Sequence, residues 1–566
     1  MEKGGKECGE GVRSDGQTNQ ALHSTCLVCR MEGKDEMTDQ RGPGSVPVEI
    51  GTRLEPMVDD FLIARLSGGA ALRLNRPVPR EVALVTDRPW EGNSCTSFAV
   101  FQDGDICRMY YLGRHFAATQ TLRDETSHPD FVCYAESSDG IRWEKPELGL
   151  VEFNGSSKNN IILSSEDSAC PSRAFAPFRD ANPAADPDAR YKAWATRFPM
   201  LDGTASRPGH SWEVPDGLHA LKSADGIRWT PMCDGPVIAD GLLDSQNVVF
   251  WDTVRGEYRD YHRNEFRIEK TGEEPYSGQE HSGPMGSGAR GSRYGRDLRT
   301  ATSSDFINWN EPDYVDYTQG RVDEIYNNSI LPYFRAPHIF VGFPTRYVDH
   351  GWSEAVEDLP ELSERRLRAS ASERHGSALT DAMFMSSRDG HTFNLWPESF
   401  IRPGLRPVDN WVYGDGYPGW GIVTTSSPFD GAPDELSIYV SEGYWRGESM
   451  NLRRYTLRVD GFASVQAPLS GGELVTKPLI FAGNRLCVNF SASAAGSVQV
   501  EVLRDQMDES VAGFGLDDCV ELLGDDIERV VRWSGGADIS RLEGVPVRLR
   551  FVLRDADVYA FQFVKM

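Results

Sequence analysis

Short runs of alternating apolar and polar residues recur through most of this 566-residue chain, separated by turns rich in Gly and Asp. The runs 98–101, 107–112 and 131–134 are of this kind, as are 247–251, 257–262, 339–343 and 436–440. A side-chain period of two over about four to eight residues is the signature of a strand buried on one face. Helical periodicity is scarce by comparison, so the pattern predicts an all-β fold.

One turn is repeated. Ser137-Ser138-Asp139-Gly140-Ile141-Arg142-Trp143 has counterparts in Ser223-Ala224-Asp225-Gly226-Ile227-Arg228-Trp229 and Ser303-Ser304-Asp305-Phe306-Ile307-Asn308-Trp309. A fourth copy, Ser386-Ser387-Arg388-Asp389-Gly390, aligns through its Ser-Arg-Asp-Gly core, and the four aspartates lie 80 to 86 residues apart. Asp-Gly between apolar runs is a hairpin signal, because both residues tolerate positive φ. The aromatic residue that follows can pack back across the hairpin. A β-rich unit at a nearly fixed period marks a propeller, one unit to a blade.

Five units fit, at about 80–150, 155–235, 240–315, 320–400 and 405–462. The upstream run 56–63 is available to complete the last blade and close the ring. The repeat stops after Phe462, but strand-like runs continue at 486–490, 498–503 and 547–553. The expected organisation is a disordered extension over 1–50, a five-bladed β-propeller over 51–465 and a C-terminal β-sandwich over 466–566.

Charge narrows the partners. Lys and Arg number 59 against 85 Asp and Glu, a formal net charge of −26. Such a surface repels phosphate backbones and anionic lipid, so no nucleic acid and no membrane partner is expected, and a neutral ligand suits it. No stretch approaches the ~20 apolar residues of a membrane span. The first 45 residues contain no apolar signal-peptide core, so a cytoplasmic protein is expected as written, with Met31 and Met37 as alternative starts that leave secretion open. Ten cysteines are scattered without a disulfide framework, and Cys26-x-x-Cys29 has no second pair. No metal or cofactor is expected, since the 11 histidines lack ligand spacing. The string from Gly286 to Gly291 satisfies G-x-G-x-x-G, but it neither follows a strand nor opens a helix, and 268–296 reads as a long loop.

Propellers expose the start of each innermost strand to a central pocket, so polar residues there are the candidates. Asp244 precedes the run 247–251, and Glu324 precedes the apolar Ile330 in Asp-Glu-Ile-Tyr-Asn-Asn-Ser-Ile. Glu91, with Asp87 as understudy, precedes 95–101. Three carboxylates from three blades suit glycosidic cleavage, in which one acid protonates the leaving oxygen and another attacks or activates water. Arg263 and Arg346 end β runs and can donate to sugar hydroxyls, as can the amide of Asn247. Trp90, Tyr326 and Trp411 can stack on a ring face. Each has a plainer reading as a turn, surface or core residue.

The turn at 138–149, the run Lys158-Asn159-Asn160-Ile161, Asp244-Ser245-Gln246-Asn247-Val248 and Thr476-Lys477-Pro478-Leu479 together resemble glycoside hydrolase family 32/43-like proteins. The resemblance implies a five-bladed furanosidase-like propeller in which Asp244 matches the transition-state stabiliser and Glu324 the general acid. Glu91 then falls to the nucleophile or base. Asp244 is followed by Ser and Glu324 by Ile-Tyr, where the family has Pro and Cys-Pro, and Trp90-Glu91-Gly92-Asn93 stands in place of the usual N-terminal motif. The expected activity is hydrolysis of a neutral glycoside, furanosides included. One alternative is a carbohydrate-binding propeller without catalysis. Another is a sialidase-like enzyme, whose three-arginine cluster the inner-strand positions do not offer.

Overall fold

The computed structural model describes residues 46–116, 128–167, 169–197, 215–265, 296–318, 324–371, 373–406, 408, 410–505 and 509–566. Cys26, Cys29 and the Gly286–291 string lie outside these residues. The described chain is nearly all β, in a propeller arrangement.

Four sheets are antiparallel and four-stranded. The first three blades follow the chain: Thr96–Asp103 to Ile161–Ser164, Arg173–Arg179 to Thr230–Pro231, and Val248–Asp252 to Asp313–Tyr314. The last blade joins Val423–Thr425, Glu435–Glu442 and Asn451–Arg458 to Val78–Val85, from the other end of the chain. A seven-stranded sheet spanning Asp316–Tyr317 to Thr392–Ile401 lies between the third and last blades in sequence. Strands such as Tyr191–Thr196 are buried at every position, because both faces pack on neighbouring sheets.

The repeated turns are built alike. Ser137 Oγ accepts the Gly140 N–H at 2.9 Å, while Asp139 Oδ1 accepts those of Ile141 and Arg142, each at 2.8 Å. Ser223/Asp225, Ser303/Asp305 and Ser387/Asp389 do the same. The residue after Asp needs positive φ, which Gly140, Gly226 and Gly390 supply without strain and Phe306 adopts at 71°. Trp229 and Trp309 fold back, each donating its indole N–H to the carbonyl of that residue.

A neighbouring sheet grips each turn. Tyr110 of the first blade donates to the Gly226 carbonyl at 2.9 Å, and Tyr261 of the third donates to that of Gly390 at 2.7 Å. Trp194 of the second stacks on Phe306, centroids 4.7 Å apart. Tyr439 of the last blade donates to the Gly140 carbonyl, joining the two ends of the series.

The run 56–63 does not complete the last blade. Glu55–Pro56 and Ile63–Gly68 pair with Val547–Val564 and Gly472–Thr476 in a ten-stranded sheet that also takes Val48–Gly51 and Ala71–Leu74. Leu62 and Ile63 bury there in one apolar core with Leu474, Leu549 and Phe551. The N-terminal strands therefore belong with the C-terminal ones, and residues 48–50 are ordered strand.

Three short helices, Glu354–Glu357, Leu362–Ala371 and Arg374–Ser377, are inserted between strands Thr345–Asp349 and Ala378–Ser387. No helix among the described residues is long and apolar enough to cross a membrane.

Candidate active site

The segments that lead into the inner strands are tied to one another. Trp420 donates its backbone N–H to Phe98 O at 2.7 Å and its indole N–H to Ile330 O at 2.8 Å. Gln246 Nε2 donates to the same Phe98 carbonyl at 3.0 Å, and Ser329 Oγ to Pro418 O at 3.1 Å. Residues 98–100, 246, 329–330 and 418–420 thus meet in one floor, and the side chains just upstream of them gather beside it.

Tyr326 is the centre of that gathering. The Arg263 guanidinium lies 4.8 Å from its ring centroid and that of Arg296 5.0 Å. These two come from facing strands, Glu257–Glu265 and Arg296–Ser303, at the end of one hairpin ladder. Arg263 is hydrogen bonded to Asp244, and Arg296 donates to Glu324 at 2.5 Å. Two carboxylates 80 residues apart in sequence therefore reach the same tyrosine, each through its own arginine. The Asp244 side chain is 50% exposed and that of Glu324 28%, whereas their arginines are at 4% and 11%.

The far side of Tyr326 is aromatic. Its hydroxyl meets that of Tyr413 at 2.6 Å, and the rings of Tyr347 and Tyr417 lie 6.0 and 5.5 Å away. Arg296 also covers Tyr347 at 4.8 Å, and Arg374, from the helical insertion, covers Tyr413 at 5.1 Å. Burial pushes Tyr347, Tyr413, Tyr417 and Tyr444 up, Tyr444 to about 12. Burial acts on Tyr326 in the same sense, but the charges of Arg263, Arg374 and Arg296 outweigh it and hold the phenol below its ordinary range. Buried His375 stacks on Tyr413, and burial with the nearby Arg374 and Arg368 charges keeps it neutral.

Asp415 lies two residues beyond Tyr413 and is buried. Its Oδ1 accepts the Tyr444 N–H at 3.0 Å, while Oδ2 has no hydrogen-bond partner among the described residues. Arg406 stands 3.6 Å from Asp415 and 3.7 Å from Glu442. Burial pushes the Asp415 carboxyl up to about 7, with Glu442 adding to the rise and Arg406 and Arg368 opposing it.

The candidates divide accordingly. Asp244, Glu324, Arg263 and Tyr326 come together. Asn247 is buried behind them: its amide ties down the carbonyls of Leu243 and Ser245 and accepts the Arg263 backbone N–H, so it shapes the loop that carries Asp244. Glu91 is fully buried, with Oε1 accepting from Tyr111 at 2.5 Å and Oε2 from Lys145 and the Arg88 N–H at 2.7 and 2.9 Å. Both oxygens are engaged, by three donors from the segment 88–145, and none of the three belongs to the Tyr326 gathering. Its understudy Asp87 is exposed and sits 3.3 Å from Lys145. Trp90 is bound to Asn160 and packs edge-on against Phe153.

Arg346 is clamped by both oxygens of Asp381, at 2.8 and 2.6 Å. It sits on the opposite face of its strand from Tyr347, the residue that does reach Tyr326. Trp411 is held by Gly404 through its indole, and its carbonyl by Arg365. Sequence reasoning missed Arg296, Arg374, Tyr347, Tyr413, Tyr417 and Asp415. Arg263, Arg296 and Arg374 gather here from a second strand, a third strand and a helix, and none of them comes from an inner-strand position. No group of three or more His, Cys, Asp or Glu among the described residues is arranged to hold a metal ion.

No family model matches the chain, and no curated protein does. Solved structures similar to it include glycoside hydrolases. A GH32 β-fructofuranosidase from Bombyx mori aligns over 87% of this chain and 96% of its own, with a TM-score of 0.34 and 10% identity. An exo-inulinase from Aspergillus awamori aligns over 86% and 98%, with a TM-score of 0.35 and 11% identity. An N-acetylgalactosamine deacetylase from F. plautii, in complex with blood group B trisaccharide, aligns over 68% and 96%, with a TM-score of 0.37 and 12% identity.

Proposed function

We propose that the chain is a glycoside hydrolase with its active site at Tyr326, carried on a five-bladed propeller. In this reading the seven-stranded sheet is the fifth blade, and the ten-stranded sheet is an accessory β-sandwich. The observation that carries it is the convergence of Asp244 and Glu324 on one tyrosine-lined site. Glu324, the less exposed of the two, is the general acid that protonates the leaving oxygen, and Asp244, the more exposed, is the second carboxylate, which takes a proton from the water that attacks the anomeric carbon. Glu91 has no part in the chemistry. The tyrosine rings supply the flat faces and hydroxyls on which a sugar is held.

A panel of aryl furanosides and pyranosides, neutral and acidic, tests this with the full-length chain. Turnover of at least one member is expected. Glu324→Gln and Asp244→Asn are each expected to lower kcat by about 100-fold or more while unfolding near the wild-type temperature. Full activity in both variants overturns the assignment. Sugar binding without turnover, unchanged in Glu324→Gln, identifies a carbohydrate-binding propeller instead.

A further inference from the structure

We infer that the site around Tyr326 recognises a sugar bearing an anionic group, a carboxylate or a sulfate, gripped by Arg263, Arg296 and Arg374. The inference shares its site with the glycosidase reading and takes the word sugar from it.

Three guanidiniums are gathered on one tyrosine pair: two lie within 5.0 Å of the Tyr326 centroid, and the third lies 5.1 Å from that of Tyr413, whose hydroxyl touches Tyr326. Like charges packed this closely in a largely buried place repel one another unless anions are shared among them. Asp244 and Glu324 each neutralise one arginine from the more exposed side.

Arg263 has donor capacity to spare. Its Nε donates to Leu242 O at 3.2 Å and its Nη2 to Asp244. Its Nη1 is buried and has no hydrogen-bond partner among the described residues. A buried guanidinium N–H without an acceptor is costly, and an oxygen arriving with a ligand relieves it. A planar guanidinium fork matches the oxygens of a carboxylate or sulfate, whereas a neutral hydroxyl uses one donor and leaves the charge unanswered. The chain's net charge of −26 favours a neutral ligand at long range. At Tyr326 three arginines stand against the two carboxylates Asp244 and Glu324, so these five groups sum to one positive charge.

Titration calorimetry of the full-length chain with glucuronate, glucose 6-sulfate and glucose decides it. At least one anionic sugar is expected to bind about tenfold tighter than glucose and to weaken with added salt. Arg374→Gln is expected to lose about tenfold in that affinity, and Arg374→Lys, which keeps the charge without the fork, less. Tight binding of glucuronate alone assigns a carboxylate, and of the sulfate ester alone a sulfate. Glucose binding as tightly as both anions, or neither anion binding, overturns the inference, as does an affinity unmoved in both Arg374→Gln and Arg263→Gln. If a variant fails to fold, the wild-type ranking and its salt dependence decide alone. Anion binding without turnover of any glycoside leaves this inference standing and removes the glycosidase. Turnover of neutral glycosides with no anion bound does the reverse.

Discussion

Arg296 donates to Glu324 at 2.5 Å with the same guanidinium that covers the rings of Tyr326 and Tyr347. The acid comes from a two-residue strand, Glu324–Ile325, that pairs with Tyr347 and Arg346, and the arginine from the start of a strand in the third blade. The pair therefore spans two sheets and fixes where the carboxylate points.

Arg296→Gln removes that hold. Glu324 keeps its place in the strand but loses its charged partner, so its side chain samples other rotamers. The expected result is a fall in kcat/KM of about 10- to 100-fold with a smaller change in stability, and partial recovery in Arg296→Lys. Steady-state kinetics beside thermal unfolding separates the two effects. A loss of stability matching the loss of activity would make the pair structural only.

Glu91 is expected to behave in the opposite way. It is buried in an ion pair with Lys145, itself 10% exposed, and Tyr111 and the Arg88 N–H complete its shell. Glu91→Gln leaves the lysine with Val85 O and the exposed Asp87 as partners. A cost of about 3 kcal/mol is expected in urea unfolding, with kcat of the folded enzyme within about twofold of wild type. A large fall in kcat at unchanged stability would restore Glu91 to the chemistry.

Tyr326 provides a spectroscopic test that needs no substrate. Three arginine charges lower its phenol against the effect of burial, while its partner Tyr413 is pushed well above the usual range. As pH rises, Tyr326 loses its proton first and Tyr413 donates to the phenolate. A phenolate absorbance titration should show one tyrosine ionising before the rest, and Tyr326→Phe should abolish that step. An early step that survives in the variant assigns the lowered phenol elsewhere.

These assignments also show what a linear sequence conceals. The Ser-x-Asp-Gly turns were legible because their function is local: a hydroxyl and a carboxylate cap nearby N–H groups, so residue type and spacing suffice. The strand that completes the last blade was misread because both 56–63 and Val78–Val85 have strand character. The choice depends on the core under Leu62 and Ile63, which forms only with the C-terminal strands. Asp244 and Glu324 stood out by their phase before inner strands, and both bind arginines that cover Tyr326. Arg296 and Arg374 had no such marker, since one opens a third strand and the other opens the last short helix of the insertion. Tyr413 and Tyr417 lie in the aromatic, Gly-rich stretch 411–420, a composition suited to a pocket wall that fixed attention on Trp411 alone. Glu91 had the right phase and the wrong surroundings, because Lys145 reaches it from 54 residues away.

The burial of Asp415 predicts the sign of a pH dependence. Its carboxyl is raised from 3.8 to about 7, chiefly by burial, with Glu442 adding and Arg406 and Arg368 opposing. Between these values the folded chain holds a proton that the unfolded chain has released, so stability falls as pH rises through the window and levels off above it. The slope from this one group is at most about 1.4 kcal/mol per pH unit. Asp415→Asn keeps an oxygen for the Tyr444 N–H and carries no titrating proton. The variant should lose this contribution: near wild type at about pH 4, and progressively more stable than wild type toward pH 8. Melting temperatures of both proteins across that range provide the check. Parallel profiles would show that Asp415 is ionised in the fold, with Arg406 compensating its charge at 3.6 Å.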